Sequence, residues 1–425
     1  MSSKVPTQNS LRHVLFGSLI GTTIEFFDFY IYANAAVLVF PQLFFPGTDS
    51  ATSVLQSLAT FSIAFFARPI GSAVFGHYGD KIGRKTTLVV ALLTMGISTV
   101  CIGFLPSYAS IGIAAPILLM LCRFGQGVGL GGEWGGAVLL AIENAPPHKR
   151  AWYGMFPQLG APIGLILSGG TFLALTNCMN SQDFLDYGWR IPFIASSLLV
   201  LVGFYIRLKI TETSAFENAK KEQEEVKLPF VTLLKSYRKE LFFGTFAAVT
   251  TFVIFYLMTV FMLNWNTNEL QLSNQEALLI QLFSVLFFAC FIPISALIAD
   301  KIGRRKMLIY ASLAIAVFGL FFAPFLNSGS SIQVTFFLCV GMMLIGFTYG
   351  PLGTFLSELF PTTVRYSGAS LTFNLAGIIG AAFAPMIAIW IATNYGLNFV
   401  GYYLSVAAVI SVISLLVISK KEHQF

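Results

Sequence analysis

Twelve apolar segments, each about 20 residues or longer, set the terms for this chain. They fall near 13–40, 52–78, 87–105, 112–142, 152–176, 190–208, 241–264, 277–299, 307–326, 333–357, 367–393 and 398–418. A run of that length crosses the hydrocarbon core of a bilayer as a helix. Inside lipid, such a segment must pair its own N–H and C=O groups, which a helix does. Charged residues make up 10% of the chain, against about 25% in soluble proteins, too few to clothe a core of this size. The expected fold class is therefore an all-α polytopic membrane protein with twelve transmembrane helices. Residues 1–11 are polar, and the run after them is too long and too acidic for a signal-peptide core. The first span is expected to be retained.

Lys and Arg orient the helices. With both termini in the cytoplasm, all but three of the 25 basic residues fall in cytoplasmic segments, the exceptions being Arg68, Arg123 and Arg190. The opposite loops carry Asp49, Asp183, Asp186, Glu269 and Glu276. The net charge of +6 is then a topology signal and no indication of nucleic-acid binding. The cysteines show no C-x-x-C spacing and read as small fillers of helix interfaces. His13, His77, His148 and His423 fall at cytoplasmic edges. No metal site and no cofactor are expected.

The chain repeats itself. Asp80-Lys81-Ile82-Gly83-Arg84 joins spans 2 and 3, and Asp300-Lys301-Ile302-Gly303-Arg304 joins spans 8 and 9, at an offset of 220. Glu143 through Arg150, after span 4, matches Glu358 through Arg365, after span 10, at an offset of 215. Two echoes in register mean two related six-helix halves, 1–209 and 241–425, with a charged cytoplasmic connector at 210–240. Gly83 and Gly303 permit a tight reversal between helices. Asp80, Arg84, Glu143, Arg150, Asp300, Arg304, Glu358 and Arg365 all fall at the cytoplasmic boundary. There, opposite charges can pair in one conformation and separate in another. The run Gly79 to Thr86 is one residue short of a phosphate-binding loop and follows no strand, which argues against ATP.

The loop Gly76-x-x-x-Asp80-Lys81-x-Gly83-Arg84-Lys85 resembles the signature loop of the major facilitator superfamily, and Arg123-Phe124-Gly125-Gln126-Gly127 resembles its R-x-x-Q-G element. Phe27-Asp28-Phe29-Tyr30, Arg68-Pro69-Ile70-Gly71, Gly131-Gly132-Glu133-Trp134 and Gly188-Trp189-Arg190-Ile191-Pro192 are similar to the metabolite:proton symporters, the group of shikimate, α-ketoglutarate and proline/betaine permeases. The resemblance covers essentially the whole chain. It implies two pseudo-symmetric six-helix halves and alternating access. It also implies a gating latch built from the eight boundary charges named above. The location it implies is a bacterial inner membrane.

Charges inside the spans point to the chemistry, because each costs at least ~2.5–3.5 kcal/mol to insert. Glu25 and Asp28 are one helical turn apart on one face. At 1.5 Å per residue, Glu25 lies about 20 Å above Arg12, Arg68 about 18 Å above Asp80 and Glu133 about 15 Å above Glu143, all near the midplane. Asp28 and Arg123 lie in the outer half at about 24 and 30 Å. Asp28 beside Arg123 is the first choice for a proton-coupling pair, since a neighbouring cation and burial act oppositely on a carboxylate. The resemblance implies the same use of a first-span acid and a span-4 Arg. Glu25 follows, with a helix contact as its other reading. Glu133, among glycines, is open between coupling and an interhelical lock. Arg68 and Arg123 favour a carboxylate ligand, because a guanidinium keeps its charge. Gln158, Tyr256 and Asn374 are further substrate-binding candidates. Aligning Thr22-Thr23 with Thr250-Thr251 places Val253 opposite Glu25 and Tyr256 opposite Asp28, so the second half lacks these charges.

The expected function is import of a small organic acid or zwitterion together with protons. A proton-driven exporter and a transporter-shaped sensor without flux are the alternatives. The expected partners are a carboxylate or zwitterionic substrate, protons and the lipid bilayer. The spans contain no nucleophile–base set, so no enzyme is expected.

Overall fold

In the computed structural model the described residues are 11–47, 49–82, 84–209, 229–327, 329–361 and 364–418. The connector segment 210–228 and Gly83 lie outside them. Among the described residues every long element is a helix. Twelve make up the bundle, the shortest of 16 residues. The first half holds α1 (Leu11–Leu38), α2 (Ser50–Ile82), α3 (Arg84–Gly103), α4 (Ala114–Gly131, resuming at Trp134–Glu143), α5 (Arg150–Cys178) and α6 (Arg190–Lys209). The second holds α7 (Arg238–Asn268), α8 (Asn274–Ile302), α9 (Arg304–Gly319), α10 (Ser331–Glu358), α11 (Arg365–Tyr395) and α12 (Leu397–Val417). These match the twelve apolar segments to within a few residues, except that α9 stops at Gly319 and a short helix, Phe322–Leu326, follows.

The breaks have local causes. In α4 a two-residue interruption falls at Gly132-Glu133, bridged by the Gly132 N–H to Gly129 O and the Glu133 N–H to Leu130 O, both at 3.3 Å. Gly131 and Gly132 bring no side chain to shield the ladder, so a neighbouring helix can approach it. In the second half, wider π-turns interrupt α7 at Leu257–Phe261 and α11 at Ile378–Ala382. Gly303 turns α8 into α9 at φ 99°, a conformation that only glycine adopts without strain. Outside the spans, Asp49 opens α2. Its carboxylate accepts from the Thr52 hydroxyl at 2.7 Å and the Thr52 N–H at 3.0 Å, which hold it below the usual carboxylate range.

The halves meet along two equivalent seams. α2 packs on α11, and α8 packs on α5. The offsets of 220 and 215 turn one of these pairs into the other, so the contact surface itself is pseudo-two-fold. α7 is almost wholly enclosed, whereas α3, α6, α9 and α12 pair at the periphery. Ile97, Leu198, Tyr310 and Val406 on those outer helices are exposed, as a lipid-facing surface requires.

Candidate functional site

Two small cavities lie where α1 faces α7. One, of about 30 Å³, is lined by Phe26 and Tyr30 of α1, Arg68 of α2, Thr251, Phe252, Phe255 and Tyr256 of α7, Tyr349 of α10 and Phe373 of α11. The other, of about 10 Å³, is lined by Tyr30, Asn34, Tyr256, Thr259 and Gln281 among others. A single water needs roughly 10–15 Å³ on this measure. The site is therefore closed around one or two waters, and a metabolite fits only after the halves separate.

The lining corrects the register between halves. Phe26 and Tyr30 face Phe252 and Tyr256, an offset of 226. The Thr22/Thr250 alignment used an offset of 228. At 226, Phe26-Phe27-Asp28-Phe29-Tyr30 lies on Phe252-Val253-Ile254-Phe255-Tyr256, with three of five residues identical. Asp28 is then matched by Ile254 and Glu25 by Thr251. Paired threonines misled because hydroxyls bonding back to their own helix carry no facing information, as Thr22 does to Ser18 O at 2.9 Å.

Arg68 is the ionised side chain in the larger cavity, and it is 4% exposed. Its guanidinium lies over the rings of Phe29 and Phe65, 4.5 Å from each centroid, and faces the Tyr256 hydroxyl. Stacking on aromatic faces holds the charge while leaving donors for a ligand. Two glycines set its depth. A Cβ on Gly131 would overlap Arg68 O, and one on Gly71 would overlap Val128 O, so α2 and α4 are in backbone contact here. That is the close approach small residues permit between helices in lipid.

Asp28 and Arg123 are both wholly buried. The direct ion pair expected between them is not formed. Depth along a helix is not direction around it. Asp28 turns toward α6, where Ser196 Oγ donates to its Oδ1 at 2.5 Å, and toward Thr99 of α3. Arg123 turns toward α1 and α2, over the rings of Tyr32 at 4.0 Å, Phe29 at 4.2 Å and Phe61 at 4.8 Å. Those rings keep it out of both cavities. Its NH1 donates to Gln126 Oε1 at 2.9 Å, and Gln126 Nε2 donates to Thr99 Oγ1 at 2.8 Å. Glu25 and Glu133 are buried outside the cavity linings.

Below the cavity, toward the signature loops, four residues close the gap. Trp134 stacks on Phe373 with centroids 3.6 Å apart. Trp134 Nε1 donates to Gln158 Oε1 at 3.0 Å, and Gln158 Nε2 donates to Tyr349 O at 2.9 Å. The offset of 215 relates Trp134 to Tyr349 and Gln158 to Phe373, so this is a pseudo-two-fold cluster with each half supplying two members. Nearby, the Tyr366 hydroxyl donates to Gly132 O at 2.6 Å and Asn374 Nδ2 to Ser72 Oγ at 2.7 Å. Gln158 and Asn374 thus hold the two halves together in this closed state and line neither cavity.

At the signature end itself, Asp300 receives the Ala151 and Trp152 N–H groups at the start of α5, each at 3.0 Å. Arg304 pairs with Asp300 at 2.8 Å and with Glu358 at 3.6 Å. Glu358 also acts on Arg150, and Glu143 on Arg365. The side chains of Asp80 and Arg84 lie outside the described residues.

Of the residues singled out from sequence, Arg68 and Tyr256 come together in the cavity. Tyr30, Phe26 and Phe373 were not singled out; the F-x-x-F-Y repeat in α1 and α7 marks the first two. Ser196 carries no pattern that would have marked it.

Residues 18–379 match the model of the Major Facilitator Superfamily. The chain is 54% identical over 421 residues to the inner membrane metabolite transport protein YhjE of Escherichia coli K12, covering 98% of this chain and 96% of that one. It is 34% identical to the shikimate transporter of Escherichia coli K12, covering 97% and 95%. It is also 34% identical to the proline/betaine transporter of Salmonella typhimurium, covering 95% and 82%. The fold superposes on the proton:xylose symporter XylE bound to 6-bromo-6-deoxy-D-glucose with a TM-score of 0.75 at 18% identity, covering 96% and 95%. With twelve helices in two related halves, a closed cavity between them and relatives that are transporters over nearly their whole length, the chain belongs to the major facilitator superfamily and is a multi-pass membrane transporter of metabolites.

Proposed function

We propose that the protein imports a small carboxylate-bearing metabolite together with protons across a bacterial inner membrane, with both termini in the cytoplasm. The halves are 1–209 and 241–425, and residues 210–240 tether them. The observation that carries this reading is Arg68, a buried guanidinium facing the cavity with aromatic rings on two sides and no acid in the lining. A permanent cation in such a place favours an anionic group, and tyrosine hydroxyls around it supply orientation. Shikimate, proline and betaine, which name two of the relatives' cargoes, each carry one carboxylate.

Asp28 is the proton site. It is a wholly buried carboxylate behind the cavity wall, on the helix whose Tyr30 lines the cavity, and Ser196 and Thr99 face it. Substrate enters from the outer side, the two halves rock, and the latch of Asp300 on the start of α5, braced within the second half by Arg304 and Glu358, and the Trp134–Phe373 stack part to release it. Asp80, Arg84, Glu143, Arg150 and Arg365 belong to the same latch.

Reconstituted vesicles with an imposed pH gradient test this reading. A panel of labelled organic acids and zwitterions, including shikimate and proline, is offered on one side. Accumulation driven by inward protons is expected for at least one carboxylate, and Arg68→Gln should abolish its binding while sparing a neutral analogue. In Asp28→Asn, exchange should survive and uphill accumulation should not. Accumulation only against an outward proton flow would make the protein an exporter. No flux with any probe would leave a sensor.

A further inference from the structure

We infer that Thr99 and Gln126 are positioning residues that pass the protonation state of Asp28 to Arg123. The inference rests on Asp28 being the proton site.

The geometry is a chain of four groups on three helices. Asp28 of α1 lies against Thr99 of α3. Thr99 Oγ1 accepts from Gln126 of α4 at 2.8 Å, and Gln126 Oε1 accepts from Arg123 at 2.9 Å. The Thr99 hydroxyl has one hydrogen. Here it is given to Met95 O at 3.0 Å, and Asp28 Oδ2 has no hydrogen-bond partner. That is the arrangement suited to a protonated Asp28, whose O–H can be given to the remaining lone pair of Thr99. An ionised Asp28 has the opposite need. It demands a donor, and the Thr99 hydroxyl is the group that can turn to it, leaving Met95 O. Thr99 is thus a rotor with two settings, selected by one proton. Because hydrogen bonds in a chain polarise one another, the second setting strengthens the Gln126 bond and, through it, the pull on Arg123.

Arg123 is built to respond. It is fully buried, its Nε and NH2 have no hydrogen-bond partner, and rings supply the rest of its surroundings. It shares the Phe29 ring with Arg68, at centroid distances of 4.2 Å and 4.5 Å. A small displacement of Arg123 is felt by the ring that Arg68 also uses. Among the described residues, the polar and charged groups near Asp28 come from its neighbouring helices and from α1 itself. α3 brings Thr99, α6 brings Ser196, and α4 brings Gln126 and Arg123. α2 brings Arg68 behind Phe29. α1 itself brings Glu25 and Tyr32, each about one turn away. α5 packs on α1 through Gly160 and Gly164.

Infrared difference spectra of the purified full-length protein in lipid nanodiscs, titrated with pH and with no substrate added, test the relay. Asp28 is read from the protonated-carboxyl band that Asp28→Asn removes. Arg123 is read from the guanidinium band that Arg123→Lys removes. In the wild type both bands should change together with one midpoint. In Gln126→Leu and in Thr99→Val the carboxyl should still titrate while the guanidinium band stays fixed, and Thr99→Ser should restore the joint response. A guanidinium band that follows Asp28 equally well in Gln126→Leu overturns the relay, as does one that never responds in the wild type. A wild-type carboxyl band that does not titrate instead removes Asp28 as the proton site. Monodisperse elution of each variant shows that it is folded, and the Thr99→Ser arm keeps the test decisive if Thr99→Val does not elute so.

Discussion

Replacing Asp300 by Ala should open the signature end of the transporter. The carboxylate makes three bonds: to the Ala151 and Trp152 N–H groups at 3.0 Å each and to Arg304 at 2.8 Å. The first two cross from the second half to the first and cap α5. A cap of this kind contributes about 1 kcal/mol, and its charge at a helix N-terminus adds roughly 0.3–1 kcal/mol. Together these stabilise the closed state by about 1.3–2 kcal/mol, or about 10- to 30-fold in population. The Arg304–Glu358 contact at 3.6 Å stays within the second half, and what Glu358 acts on across the seam is Arg150, at a partly exposed position. Such pairs contribute about 0–1 kcal/mol, so Glu358→Gln should shift the population by less than about fivefold. Spin labels at Asn144 and Lys301, exposed positions on opposite halves, report the separation by electron double resonance in a cysteine-free background. Asp300→Ala should move most of the distance distribution to longer values. An unchanged distribution, or a larger shift in Glu358→Gln than in Asp300→Ala, would refute the assignment of the main closing contact to the capping carboxylate.

Three further outcomes are expected. Gly131→Ala places a methyl group on Arg68 O and should lower thermal stability by about 1–3 kcal/mol, whereas Gly170→Ala, which meets nothing within 4 Å, should be neutral or slightly stabilising in a melting assay. Trp134→Phe keeps a ring to stack on Phe373 but loses the bond to Gln158, a cost of about 1 kcal/mol, while Trp134→Ala loses both; the spin-label distances should rank wild type, Phe and then Ala in order of opening. Tyr256→Phe removes the hydroxyl facing Arg68 and should weaken binding of an accumulated carboxylate about fivefold, measured by equilibrium binding, without changing the proton-to-substrate ratio.

Helices were legible in the sequence because lipid leaves the backbone no other choice, and length and apolarity alone mark each span. The signature loops were legible because their glycines and charges repeat at a fixed offset. Direction around a helix was not. Asp28 and Arg123 share a depth, yet one turns to α3 and α6 and the other into the rings of Phe29, Tyr32 and Phe61. No pattern within one helix states which neighbour will stand on which side. The same gap explains Gln158 and Asn374. Each is polar and deep, as a ligand-binding residue would be, and each is used by the other half of the protein. The Phe26/Phe252 and Tyr30/Tyr256 echo was present in the sequence, and only the register hid it.

Where the charges are not is as informative as where they are. The surface that must part during alternating access carries, around the cavity, tyrosine hydroxyls, aromatic rings and one guanidinium. Asp28 and Arg123 stay within the first half, behind that surface. Dragging a full ion pair across a low-dielectric seam would carry a penalty of several kcal/mol per ion. What the rocking motion breaks at the signature end is smaller. Among the described residues, hydrogen bonds cross between the halves here through Asp300 twice, Gln158, Thr354, Tyr366 and Asn374, together with one ring stack, and the pairs Glu358 with Arg150 and Glu143 with Arg365 add to them. At about 1 kcal/mol each the hydrogen bonds and the stack sum to roughly 7 kcal/mol, before water satisfies the freed groups again. A ligand that reverses a 99:1 preference must supply about 5.5 kcal/mol of differential affinity. The two figures are close enough that substrate and proton together can drive the opening. Proton binding within one half then has to be expressed through α1, whose Tyr30 packs on Phe255 of α7 at 5.8 Å across the seam.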